Sequence, residues 1–338
     1  PGFKQETDSV AHVFIQANPL IRNDELQLQS KYGLEYIYPD VQWANVFSDG
    51  SAFCIYEDID KTCESIAKIS PRDGEAYKQF FEYSKGVLDF LAASLFSPCP
   101  PFGQIVAMLD STPEGREILR ALLMSSSDIV NQYFYDDRIK VALLKMANEM
   151  MQFPETKGTG VMLFLLVPTV HINKMGTPRG GGIQLPLSLV RCIEANGGHI
   201  YLNSEVTKIT TSGGRATGVQ LASGDELHAR RAVVSGLHIW HLVDMVDGMP
   251  DEIVRKVKRT NVSDHSTLTC NYALNEPPKY KAGDEANRAM LVEMLPSMEE
   301  FRGHYDDCRH GVPPRVKVPY AACHTNWDES KAPAGKAT

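Results

Sequence analysis

The chain has 338 residues with ordinary apolar and charged fractions, enough to bury one large core or two moderate ones. Its formal net charge of -8 excludes the clustered basic surface that phosphate contacts require, so a nucleic-acid binder is set aside. Seven cysteines are scattered without a C-x-x-C pair or a His at zinc-ligand spacing, which points to a reducing compartment, cytoplasmic or otherwise, and to no metal site.

The first predicted elements are short strands. Leu34 to Tyr38 is one, and Trp43–Phe47 and Ala52–Tyr56 flank Ser48-Asp49-Gly50-Ser51, a hairpin signal. The period then changes. Ser70-Pro71-Arg72-Asp73 supplies a cap hydroxyl, a proline suited to the first helical position and a first-turn acid. The helix that follows carries Tyr77, Phe80, Phe81, Ser84, Val87, Leu88 and Leu91 on one stripe. Thr112-Pro113-Glu114 and Asp136-Asp137 open two more helices, the second with Ile139, Leu143, Met146 and Met150. This Met and aromatic content reads either as helical core or as the lining for a long apolar substrate.

The most apolar run, Val161 to Val167 before Pro168, falls short of the roughly 20 residues that span a bilayer. Val161 to Val170 and Leu91 to Phe102 are either buried core or stretches that dip into a membrane interface, a peripheral contact. From Gly180 the pattern becomes α/β. An amphipathic helix runs through Leu185, Leu189, Cys192 and Ile193 to a stop at Asn196-Gly197-Gly198, and His199–Leu202 follows as a strand. Val206–Thr210, Ala216–Leu221 and Glu226–His228, separated by Gly-rich turns, read as a small antiparallel meander. Ala232–Val234 is a buried strand ending at Ser235-Gly236, Asp251–Val257 is helical, and Thr267–Leu274 and Val316–Ala321 are strands of a larger sheet.

Pro178-Arg179-Gly180-Gly181-Gly182, the helix, Asn196-Gly197-Gly198-His199-Ile200, Ser204 to Ile209, Ala216-Thr217-Gly218-Val219, Ser223-Gly224-Asp225 and Ala232 to Ser235 stand in a fixed succession. It resembles the phytoene desaturase family, which is similar to the amine oxidases. Pro1-Gly2-Phe3 with Ser9-Val10-Ala11-His12 resembles the segment just after that family's FAD fingerprint. Trp327 to Lys336 resembles its Asp-Pro-x-x-Ala-Pro-x-Gly stretch, with Glu329 in the proline's place. The likeness is strongest from Gly180 to Ser235 and faint over the helices.

The resemblance implies an α/β (α+β) fold: a partial FAD-binding Rossmann-like domain over 1–33 and 178–262, and a substrate domain of mixed sheet and helical cap over 34–177 and 263–338. It implies that Val206 meets the FAD adenine by its backbone and that Gly180, Gly181, Gly182, Ser235 and Gly236 line the cofactor. Gly180–Gly182 reads alternatively as a flexible entry into a helix. NAD(P) is compatible with the family's branch, but no motif calls for it. The chemistry implied is hydride removal from a hydrophobic, carotenoid- or isoprenoid-like small molecule by the flavin, with the protein supplying orientation and an apolar enclosure.

No G-x-G-x-x-G lies between a strand and a helix, and the family's C-terminal flavin segment is missing. The sequence therefore reads as an internal piece of a longer protein, one that binds FAD poorly by itself. The alternative is a non-catalytic fragment or interaction scaffold with the same fold. No triad, paired-carboxylate or metal constellation stands out, so catalytic residues stay unassigned. His12, by its place after the fingerprint, and His171, after Leu163–Val170, are the single candidates. A lone His such as His171 also reads as a satisfied structural residue. Tyr133, Tyr135, Asp136 and Arg138 form either a polar patch or a solvated helix start.

Overall fold

The computed structural model describes residues 1–338, which divide into two compact units: 1–192 with 264–338, and 193–263. The fold is mixed α/β. In chain order the first unit holds α1 (Pro19–Arg22), β1 (Tyr36–Ile37), β2 (Val41–Phe47), β3 (Ala52–Tyr56), α2 (Ile59–Ala67), α3 (Pro71–Phe96), α4 (Phe102–Leu109), α5 (Pro113–Leu123), α6 (Ser126–Tyr133), α7 (Asp137–Asn148), α8 (Val161–Ile172), β4 (Thr177–Pro178) and the start of α9 (Gln184–Ala195). The second unit contains β5 (Val206–Ser212), β6 (Arg215–Leu221), β7 (Glu226–His228), α10 (Ile239–Leu242) and α11 (Asp251–Lys258). The chain then returns to the first unit with α12 (Asp284–Arg288), β8 (Leu291–Leu295), α13 (Met298–Arg309) and β9 (Tyr320–Ala321).

The first unit is organised by a four-stranded sheet of order β3-β2-β8-β9. The hairpin forms as the Asp-Gly turn predicts, with Asn45 opposite Phe53. On its other edge β2 runs parallel to β8, with Asn45 opposite Glu293, although some 240 residues of chain separate the two strands. From Trp43 onward residues alternate across β2, so Trp43 and Phe47 face the large core and Ala44 a smaller cluster with Ala286 and Ala289; an irregularity between Val41 and Trp43 brings Val41 onto that second face as well.

The helices cover the first of these faces. Ser70 Oγ accepts from the Asp73 amide and opens α3, and all seven residues of its predicted stripe are buried. Thr112 caps α5 and Asp136 caps α7 in the same way. Asp73 does more than complement a helix dipole: its fully buried carboxylate accepts the Tyr135 and Asp136 amides, each at 2.8 Å, and so ties the start of α3 to the entry of α7. Leu163 to Val170 of α8 is buried throughout, which makes it the spine of this core. No helix is long and apolar enough to cross a membrane.

Several predicted strands contract or fail to form. Leu34–Tyr38 narrows to Tyr36–Ile37, paired with Thr177–Pro178, and Val316–Ala321 narrows to Tyr320–Ala321. Thr267–Leu274 pairs only at Leu274, bridged to Ala337, and leaves Leu268 and Tyr272 exposed. In the second unit the β5-β6-β7 meander forms as read, whereas His199–Leu202 and Ala232–Val234 are not strands. Val234 is 92% exposed rather than buried. A strand's N–H and C=O groups need a neighbouring strand, and His199–Leu202 and Ala232–Val234 have none paired beside them.

Candidate functional site

The turn that leads into α9 is the centre of a buried polar cluster in the first unit. Gly180 and Gly181 have φ of 87° and 101°, conformations that suit glycine. A Cβ on Gly181 would lie 2.6 Å from Glu6 Oε1 and 2.7 Å from Lys331 Nζ, so the turn is seated directly on an ion pair. Its outward amides are both taken by carboxylates: Gly180 N–H donates to Asp328 at 2.6 Å and Gly182 N–H to Glu6 at 3.1 Å. Glu6 also pairs with Lys331, which is almost wholly buried. Burial opposes the Glu6 charge, but Lys331 and the Gly182 amide outweigh it and hold the carboxyl below its usual range. Asp328 is low for a similar reason: burial opposes its charge, but the Gly180 amide, Ser330 and Lys331 together outweigh it.

Two histidines complete the cluster. His12 is buried, and its Nδ1 lies 2.8 Å from the Tyr36 hydroxyl; its backbone bridges Gly176 in both directions. Burial lowers its pKa, against the pull of Glu6. His324 is 5% exposed, neither ring nitrogen has a hydrogen-bond partner, and the Trp327 indole N–H beside it is also buried and unpartnered. Burial, helped by the Lys331 charge, pushes His324 down to about 4, so it is neutral at pH 7. The cluster thus offers glycine backbone approached closely by charged groups, with spare buried hydrogen-bonding capacity at His324 and Trp327. A polar group of a cofactor fits such a site.

The sequence candidates fall in different places. Gly180, Gly181, Gly182 and His12 come together here, joined by Glu6, His324, Asp328 and Lys331. Those four carry no motif of their own, though Asp328 and Lys331 lie inside the Trp327 to Lys336 stretch that bears the family likeness. His171 sits at the end of α8 with both ring nitrogens engaged, one 3.0 Å from the Tyr77 hydroxyl and the other 3.1 Å from the Glu57 carbonyl, and burial favours its neutral form. Val206, Ser235 and Gly236 belong to the second unit. Val206 opens β5 opposite Leu221, Ser235 Oγ accepts from the Leu237 amide, and Gly236 is open to solvent. Tyr133 and Phe80 meet edge to face at 4.9 Å, Tyr135 takes the Arg72 guanidinium on its ring, and Asp136 caps α7 while pairing with Arg138.

A separate apolar groove of about 460 Å³ opens between α3, α5 and α8. Phe14, Leu91, Phe96, Met150, Val161 and Leu165 dominate its wall, and Asn18 and Ser94 are its polar members. Leu95 and Phe96 at its rim, with Phe102 nearby in sequence, are exposed.

Residues 70–327, well over half of the chain, match the family described as flavin containing amine oxidoreductase. The chain belongs to that family. Membership implies a flavin cofactor. Among curated relatives, one of the polypeptides of limonene dehydrogenase from Castellaniella defragrans is 26% identical over 300 residues, covering 82% of this chain and 54% of that protein. A lycopene-forming phytoene desaturase of Paracoccus sp. is 25% identical over 232 residues, covering 68% of this chain and 45% of that protein. The chain therefore spans about half the length of the curated relatives it matches. The solved structure of an oxidoreductase from Methanosarcina mazei aligns with 70% of this chain and 53% of its own at 15% identity and a TM-score of 0.43.

Proposed function

We propose that this chain contributes the substrate-binding region, and part of the cofactor-binding region, of an FAD-dependent oxidoreductase of the desaturase or dehydrogenase type. Its substrate is a hydrophobic, isoprenoid-like small molecule. The division into a cofactor region (1–33 and 178–262) and a substrate region (34–177 and 263–338) belongs to this proposal.

The apolar groove between α3 and α8 carries the reading, because in a family that oxidises its substrates it is the feature suited to a ligand with few polar handles. Two relatives, named for limonene and for lycopene formation, handle ligands of that kind. When bound, the flavin would supply the two-electron acceptor chemistry. The chain's own residues do the rest. Groove side chains such as Leu91, Val161 and Leu165 bind and orient the hydrocarbon and exclude water. Within the first unit His324 and Trp327, beside the Gly180–Gly182 turn, offer the buried hydrogen-bonding capacity for a polar part of the cofactor; within the second unit the Val206 backbone, Ser235 and Gly236 are the adenine-side contacts that the family resemblance implies. The 338 residues contain no G-x-G-x-x-G turn, so on this reading they take up FAD weakly when produced alone. Exposed Leu95 and Phe96 at the groove rim, together with exposed Phe102, support peripheral membrane contact, which co-flotation with liposomes would show and recovery in the soluble fraction alone would refute.

The full-length natural protein, purified as the holoenzyme, should show flavin absorption in the visible range. Mixed anaerobically with phytoene or limonene, it should bleach. Full-length protein without flavin, which also takes up none from added FAD, overturns the reading and leaves the interaction scaffold in its place.

A further inference from the structure

A second set of buried polar groups lies on the covered face of the four-stranded sheet, in the middle of the apolar core. Glu293, at the centre of β8, is 1% exposed, and its carboxylate accepts no well-aligned hydrogen bond, the donors that approach it being the Trp43 indole N–H and the Lys145 ammonium. The nearest cation is Lys145 of α7, whose Nζ is 3.5 Å from Glu293 Oε1 and also pairs closely with Glu149 one helical turn on. Lys145 is itself 7% exposed, whereas the Glu149 side chain is 28% exposed.

Every element against Glu293 adds a polar group. From β2 come the Trp43 indole N–H and the Asn45 amide, both buried and unpartnered, with Asn45 directly opposite Glu293 in the ladder. From α13 comes the Tyr305 hydroxyl, and from β9 Tyr320, over whose ring Lys145 sits at 5.2 Å. Lys145, Glu149, Glu293, Tyr305 and Tyr320 are the titratable groups here, and His265, stacked on Tyr305, is a further neighbour of Lys145. A buried carboxylate with so few donors is costly to a fold, and structures keep such groups where they serve a purpose.

We propose that Glu149, Lys145 and Glu293 form a proton relay leading from the half-exposed end of α7 into the covered face of the sheet. A proton arriving on Glu149 moves inward when Lys145 gives an ammonium proton to Glu293 and regains one from Glu149. The charge on Lys145 is unchanged, and the net event is one proton transferred between two carboxylates. Glu293 is suited to store it. Burial raises its pKa to about 7 against the pull of Lys145, so it takes up and releases a proton near neutrality. Lys145 stays charged, because Glu293 and Glu149 outweigh the burial that opposes its charge.

The outer end of the relay adjoins the apolar groove in sequence, for Glu149 is followed by Met150 in the groove wall. A role for the relay in turnover rests on the proposed oxidoreductase function: an oxidation that gives a hydride to flavin and forms a C=C bond also releases one proton, and this relay would receive it. Lys145 and Glu293 are on this view positioning and proton-holding residues, with no contact to substrate required.

Infrared spectroscopy of the protein across pH 5 to 9 tests the relay without turnover. A protonated-carboxyl band that titrates near neutrality is expected, lost in Glu293→Gln and persisting to high pH in Lys145→Met, where the neighbouring cation is gone. A wild-type protein with no such band, or a band unchanged in Glu293→Gln, overturns the proposal whether or not flavin binds. In the full-length holoenzyme, Glu293→Gln should lower the rate of flavin reduction at least tenfold at pH 7 and remove its dependence on pH near 7, with flavin absorption unchanged. An unaltered pH profile would also overturn it. Absent flavin would instead count against the oxidoreductase reading, with the infrared result still deciding the relay.

Discussion

The helical core of residues 71–170 and the unit spanning 193–263 read about equally well as sequence, yet they fold to very different degrees of burial. In the first, Phe80 is packed edge-on or tilted against Tyr133, Phe134 and Phe164, and every residue of the predicted α3 stripe is covered. In the second, Ile209 and Val243 are the buried hydrophobic residues, while Leu202 and Val234 stand open to solvent. Apolar periodicity states that a face can be covered. Whether it is covered depends on a second element arriving there.

Truncations should separate the two regions most sharply. Phe80→Ala removes a fully buried ring from three aromatic neighbours and should cost about 4 kcal/mol in chemical denaturation. A loss under about 1 kcal/mol would mean that this core is looser than its packing indicates.

Next in size are two opposed pH effects within the first unit. His324 has its folded pKa pushed down to about 4, so it contributes stability that is present above its unfolded value and lost as pH falls from about 6.5 toward 4, up to about 3 kcal/mol. Glu293 has its folded pKa raised to about 7, so its contribution is present below about 4.5 and lost as pH rises through 7, by up to about 3 kcal/mol. Denaturation midpoints across pH 4 to 8 should therefore flatten on the acid side in His324→Gln and on the neutral side in Glu293→Gln. Unchanged slopes in either variant would refute the corresponding assignment.

Smaller effects belong to the meander. An added Cβ at Gly218 would lie 2.2 Å from the Leu227 carbonyl oxygen, so Gly218→Ala should cost about 2 kcal/mol and open the β6–β7 pairing, seen as faster amide exchange at Glu226–His228. The smallest is Val234→Ser, expected within about 0.5 kcal/mol of wild type. A large loss there would show that Ala232–Val234 is covered in solution after all.

How far the site could be read from sequence follows the same division. The glycine turn was legible because three consecutive glycines before an amphipathic helix are a local signal. Glu6, His324 and Lys331 were not, since ordinary polar and charged residues at opposite ends of a chain carry no sign that they will meet under one turn. Asp73 was legible as a first-turn acid, but its bonds to the Tyr135 and Asp136 amides were not. His171 shows how a tertiary partner settles a question that spacing leaves open: the Tyr77 hydroxyl and Glu57 carbonyl occupy both of its nitrogens.

Local sequence was enough for the capped helices, the Asp-Gly hairpin, the glycine-punctuated meander and the family, because each depends on residues within a few positions or on an ordered succession of such pieces. The folded chain was needed for the parallel pairing of β2 with β8, the burial of Glu293 beside Lys145, the ion pair beneath Gly181 and the strands that went unmade. Each of these needs a partner brought from far along the chain, and a backbone or a charge finds its energetic value only in what lies next to it.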